Sequence, residues 1–329
     1  AFYYFDEELR TLFLKYILHV ERQLKSMLSY YFCQKYGEQQ TAYLTAGNFN
    51  YTRKNQYKIN RLITTLSKTI ALPSNYSYIT HHATVYGNVP LWVATNALTF
   101  GQISKMYQYT TSDIRTKVSL NFANMSEVQL HQLIRILASC RNVCAHNERL
   151  YSFQVNEAIP DTVLHSKLQI PQKNGQYAIG KKDLFAVVIA LRYLIDNQEF
   201  KQFKAELKRL IHSVLKNCPH ISQELLFSKM GFPENWEKIV DRCPCVCRVY
   251  LCSHYPQFVD KLWISSGKPY SHPQCSVRIP FFSWFLPLCT TFSFPYPLFV
   301  ENLPVFCHFC LHPQLHNSNP VFRHRPRYK

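Results

Sequence analysis

Glycine is scarce in this 329-residue chain. There are 8, where average composition would supply about 23. No Gly-rich loop is available to cradle a phosphate, and no nucleophile elbow for Ser/His/Asp catalysis can be recognised. Acidic residues are also few, 20 against 37 Lys and Arg. None of them cluster with metal-site spacing, which argues against a two-metal nuclease. A signal peptide is missing: the chain opens with Ala1 inside what reads as a helix, and we read this start as a truncation. The one apolar stretch long enough to suggest a membrane span, 279–300, is interrupted by Pro280, Pro287, Pro295 and Pro297. No span is expected there, and no membrane is expected among the partners.

The charge that is present is mostly of one sign. The net charge is +17 and the isoelectric point about 9.3. An excess this large implies an anionic partner, most economically nucleic acid. Residues 240–329 hold nine Lys/Arg against three Asp/Glu, so the larger part of the excess lies in the first 239 residues.

Those 239 residues show apolar positions at helical spacing. Leu9, Leu12, Phe13, Ile17, Val20 and Leu24 predict one helix over 4–36, closed by Gly37. Further helices are predicted over 55–72, stopped by Pro73, and over 89–109, with Pro90 in its first turn. Others follow over 112–121, 126–151, 181–215 and 222–230. Residues 41–54 read as irregular, and 152–180 as a connector with room for a short hairpin. The class is all-α, an irregular helical bundle.

The helix over 126–151 carries the chemistry. Ser126 caps it and Glu127 sits in its first turn. Leu133, Leu137, Cys140 and Cys144 form one apolar stripe for the core. At about 100° per residue, Asn142, His146 and Arg149 fall on the opposite side, with Arg141 between the two faces. Arginine forks onto phosphate oxygens, histidine moves protons near neutral pH, and asparagine both donates and accepts. The set suits RNA cleavage without a metal. The ribose 2′-OH would attack, His146 would act as general base or acid, and Arg141 would neutralise charge on the phosphoryl oxygens. Asn142 would orient His146 or a phosphate oxygen.

The string Arg141, Asn142, Cys144, Ala145 and His146, running on to Arg149, Leu150 and Tyr151, resembles the HEPN active-site motif Arg-(Asn/Asp/His)-x3-His. More narrowly, it resembles the form found in the Abi-like phage-resistance family. Three other segments resemble the same family: 5–10 leading to 21–25, the Trp92 and Phe100-Gly101 region, and Met230-Gly231-Phe232-Pro233-Glu234-Asn235-Trp236. The resemblance covers roughly residues 1–239. It implies a HEPN-type helical domain there, lacking an N-terminal segment that family members usually carry. It implies a cytoplasmic, cofactor-free endoribonuclease toxin of abortive infection that leaves a 2′,3′-cyclic phosphate. It also implies a homodimer that brings two motifs together, and restraint by an antitoxin such as a non-coding RNA. Arg141, Asn142 and His146 are the implied catalytic residues. Glu21 resembles a family polar residue near the motif, with a surface ion pair to Arg22 or Lys25 as the equal alternative. RNA contacts are expected from Arg149 and from a lysine-rich helix face carrying Lys201, Lys204, Lys208, Arg209 and Lys216. The competing functions are a non-catalytic module that grips a structured non-coding RNA, and a scaffold with a degenerate motif, which the intact trio disfavours. His81 and His82 read as a solvated loop, and Trp92 and Phe100 as core.

The last ninety residues differ from the rest. They hold eight of the 12 Cys, twelve of the 18 Pro and six of the 14 His, and helical periodicity disappears. One reading is a zinc-binding appendix on Cys243, Cys245, Cys247, Cys252 and His254, or on Cys307 and Cys310 with His308 and His312. Cys-x-Cys-x-Cys is not a standard tetrahedral-site spacing, and no two well-formed Cys-x2-Cys pairs face each other. The favoured reading is a non-native or disordered tail over 240–329 of the kind a shifted reading frame produces, with no metal site.

Overall fold

The structure, a computed structural model, describes residues 1–122 and 125–240. The zinc, reading-frame and span readings of the tail lie outside the described residues. The fold is mostly α. Its long helix α1 (Phe2–Tyr36) carries a core stripe that includes Leu9, Phe13, Ile17, Leu24 and Phe32, all buried. The helix ends at Gly37, whose φ of 89° suits glycine and whose N–H returns to the Cys33 carbonyl. The chain continues through α2 (Gln40–Leu44), α3 (Gln56–Ile70), α4 (Ser77–Tyr86), α5 (Leu91–Ala94), α6 (Phe100–Tyr109), α7 (Ser112–Ser119) and α8 (Glu127–Ala145). It closes with α9 (Val163–Lys167), α10 (Leu184–Leu194), α11 (Asn197–Asn217) and α12 (Gln223–Met230). Among the described residues the one sheet is a hairpin, Gln172–Lys173 against Gln176–Tyr177, within the predicted connector.

α8 is central: it packs on α1, α6, α7 and α10. Its predicted stripe of Leu133, Leu137, Cys140 and Cys144 is buried. Ser126 and Gln129 form a capping box at its start, the arrangement that satisfies the free N–H groups of a first turn. α10 is apolar on nearly every side, with ten of its residues buried, as a helix with almost no polar face must be; the exception, Arg192, is buried with its guanidinium over the Phe200 ring. α11 packs along α1 and α10; the Phe203 ring sits edge-on to Phe13 and Tyr16.

Six segments depart from the sequence-based expectation: two are the short helices α2 and α9, which lie in stretches read as irregular and as a connector, where Thr162 and His165 form a capping box for α9. The predicted helix over 89–109 breaks at Leu98, because Thr99 and Gln102 form a capping box that starts α6 afresh. The predicted helix over 181–215 breaks at Ile195 for the same reason, with Asp196 and Glu199 as the box. In both places a local cap outcompetes continuous amphipathicity. The segment around His81 and His82 is helical, not a loop, and is seated by buried Ile79. The helix predicted over 126–151 stops at Ala145, six residues early. Phe100 is fully buried and Trp92 packs against the core, as expected. No helix among the described residues is long and apolar enough to cross a membrane.

Candidate functional site

The site forms where α8 ends. His146 is its C-cap. The Glu148 N–H reaches back to the Val143 carbonyl at 3.0 Å and the Asn147 N–H to the Cys144 carbonyl at 3.4 Å. Asn147 takes the left-handed conformation, φ 57°. This is the paired hydrogen-bond pattern that closes many helices with Gly or Asn just past the cap. Arg149 is therefore placed by the turn. It does not continue the helical face of Asn142 and His146, which corrects the expectation of one three-residue face.

α1 fixes that turn from outside. Asp6 is buried, and its Oδ1 accepts the N–H groups of Leu150 and Tyr151, each at 3.0 Å. Arg10 pairs with the same carboxylate and also donates to the Glu148 carbonyl at 3.3 Å. The Phe2 ring meets Tyr151 edge-on at 4.9 Å. Sequence reasoning gave neither Asp6 nor Arg10 a role. The available signal was their position: both occupy the α1 core face, one helical turn apart.

A second α1 carboxylate addresses the motif arginine. Glu21 is buried, not a surface residue. Its Oε1 pairs with Lys25 Nζ at 2.9 Å, and that ammonium also donates to the Leu98 carbonyl at 2.9 Å. Its Oε2 faces Arg141 Nε at 3.9 Å, a charge contact and too long for a hydrogen bond. Both atoms are buried, yet the Arg141 side chain as a whole is 29% exposed. The arginine is thus backed by a carboxylate on its inner side and open on its outer side. Glu21 meets both halves of the sequence-based choice: it pairs with Lys25 and lies beside the motif.

Asn142 and His146 are exposed. They lie four residues apart and share a helix face, and the His146 N–H bonds to the Asn142 carbonyl at 2.9 Å. Arg141 is five positions before His146, about 140° round and about 7.5 Å along the axis, so it lies on the adjoining side of the helix end, toward α1. The three side chains border one end of α8 with a cation, an amide and an imidazole.

The lysines lie elsewhere. Lys201, Lys204 and Lys208 are on α11. Lys204 Nζ donates to the Glu237 carbonyl at 2.5 Å, and Lys208 Nζ pairs with the Glu237 carboxylate at 2.6 Å. Lys201 is exposed. The structure does not gather these lysines round Arg141 and His146.

Neither a curated protein nor a solved structure matches the chain. A family model does: residues 1–152 match the family described as Abi-like protein. Met230–Trp236 and the α11 lysines fall beyond that span. The match takes in α1 to α8, Asp6, Glu21 and the whole motif from Arg141 to Tyr151, and it is the Abi-like family that this part of the chain resembles.

Proposed function

We propose that the protein is a metal-independent endoribonuclease of HEPN type acting in abortive-infection defence. The observation that carries this is the end of α8, where Arg141 is backed by the buried Glu21 and exposed Asn142 and His146 lie on the adjoining side. The arrangement supplies what transesterification at a phosphodiester needs. Arg141 meets the charge that develops on the phosphoryl oxygens. Its inner contact with Glu21 limits the orientations the guanidinium can take. His146 removes the proton from the 2′-OH or returns one to the leaving 5′-oxygen, a role typically worth about 10²–10⁴-fold. Asn142, one turn before it on the same face, is within reach of the same phosphate or of the imidazole. The products are a 2′,3′-cyclic phosphate and a 5′-hydroxyl.

The resemblance to Abi-like proteins extends the reading to a cytoplasmic toxin that works as a homodimer, restrained by an antitoxin RNA. Arg149 on the closing turn serves as an RNA contact, as does Lys201 on α11. The test is to incubate purified full-length protein with total RNA in EDTA and examine the ends. Wild type should release fragments ending in a cyclic phosphate. His146→Ala should lower the rate at least about 100-fold with an unchanged melting temperature, because the side chain is exposed. Cleavage by His146→Ala at the wild-type rate would sink the nuclease reading. RNA binding without cleavage by wild type would replace it with a module that grips RNA.

A further inference from the structure

A groove of about 410 Å³ runs beside α8 toward the motif, within the size range of small-molecule sites. One wall carries Gln132, Arg135, Ser139 and Val143 from α8; the other is the segment 153–158. Gln132, Arg135 and Ser139 continue upstream the face that holds Asn142 and His146. With steps of three and four residues, all five fall within about 80° of arc. The opposite wall is anchored. The Val155 N–H donates to the Lys182 carbonyl at 2.8 Å and the Ile159 N–H to the Lys181 carbonyl at 2.9 Å. Ile136 and Phe153 give the groove an apolar floor, each 3% exposed. Arg135 is the one cation and Glu157 the one acid among the lining residues, and they pair with each other. The side chains are 44% and 63% exposed, and a pair this open to water is weak.

We propose that this groove is a nucleotide subsite for RNA flanking the phosphate held at the motif, with Arg135 as phosphate ligand and Glu157 as the carboxylate that the RNA displaces. The proposal rests on the ribonuclease reading and names where its substrate lies. Arg135 and Asn142 are about 10 Å apart along the helix axis, close enough for one strand to touch both. A guanidinium held by an exposed carboxylate is pre-positioned, and a phosphate offers it the same forked geometry with more charge. Glu157 then disfavours anions until an RNA strand brings one to Arg135. Ser139 and Gln132 add neutral hydrogen-bonding groups beside that phosphate, and the apolar floor faces a base.

The experiment uses the full chain and a fluorescent 2′-O-methyl oligouridylate of about twelve nucleotides, a length within the usual range for single-strand sites. The methyl group blocks the internal nucleophile, so binding is read without cleavage. Arg135→Gln should weaken binding about fivefold and reduce the slope of log K against log salt by about 0.7, the loss of one phosphate contact on a single strand. Glu157→Gln should tighten binding about twofold, by removing a like charge and releasing Arg135. Opposite signs are the signature: an ordinary surface ion pair would leave both affinities at the wild-type value. Unchanged affinity in both variants, with wild type still binding and cleaving RNA, overturns the subsite and spares the ribonuclease reading. Failure of wild type to bind any RNA overturns both. A change of oligomeric mass by light scattering in Arg135→Gln assigns the groove to a protein interface and also overturns the proposal.

Discussion

Asp6 on α1 and Asp183 before α10 are both buried carboxylates, and each closes a turn by accepting two backbone N–H groups. Asp6 takes those of Leu150 and Tyr151; Asp183 takes those of Gly180 at 2.8 Å and Ala186 at 3.0 Å. Their surroundings differ. Asp6 has Arg10 as a buried counter-charge. Among the described residues Asp183 has no such ion-pair partner, and burial pushes its carboxyl up to about 6 even though the backbone N–H groups pull the other way. Its pocket is closed further by Gly231, at φ 72°, where any Cβ would collide with the Asp183 side chain. The comparison separates two uses of a buried acid. At the motif, a charged network fixes the turn that follows Arg141, Asn142 and His146. Near α10, a single acid caps a helix in an apolar setting that penalises its charge.

The largest break in that comparison is Asp6→Ala. It strands Arg10 in the interior and leaves two N–H groups unmet, so it should cost about 3–5 kcal/mol, the range for removing one partner of a buried pair. Urea unfolding measures it, and replacing Arg10 by Met in the same variant should recover part of the loss. A cost below that of an ordinary cap would mean the pair is not buried in solution. Asp183→Ala comes next, at about 2 kcal/mol, from a lost cap and an unsatisfied buried N–H. RNA cleavage per folded molecule should stay at the wild-type level, whereas Asp6→Ala should lower it, because only Asp6 holds the turn beside His146.

The smallest effect sharpens the contrast by pH. The folded carboxyl of Asp183 lies above its ordinary value of 3.8, at about 6. It therefore contributes stability that is fully present below pH 3.8 and is lost as pH rises through about 6. Against the titration-free variant Asp183→Asn, wild type should gain relative stability between pH 7 and pH 5. Thermal melts of both proteins at the two pH values give the sign. Burial also lowers His131, to about 4, and His165, but both residues are common to the two proteins and drop out of the difference.

Much of the helical layout was readable from the chain. The stripe through Leu133, Leu137, Cys140 and Cys144, the Ser126 cap and the stop before Pro73 follow from local rules. The breaks at Thr99 and Asp196 were written in capping-box spacing, but strong amphipathicity on either side masked them. The early end of α8 depends on the left-handed conformation of Asn147, a choice one residue makes in context. Arg141, Asn142 and His146 stood out by residue type and order. Asp6 and Arg10 did not, because the turn they hold at 148–151 is remote in sequence, and Arg135 and Glu157 meet only once the chain has folded back beside α8. The α11 lysines looked like a free basic face, since nothing local showed that Glu237 occupies Lys204 and Lys208.

The bonds from Asp6 to Leu150 join positions 144 residues apart. During synthesis the first helix must wait for the whole of α2 to α8 before it meets the turn it holds, and such distant closures form late. The clamp on the segment around His146 therefore cannot exist in a nascent chain that has not passed Tyr151.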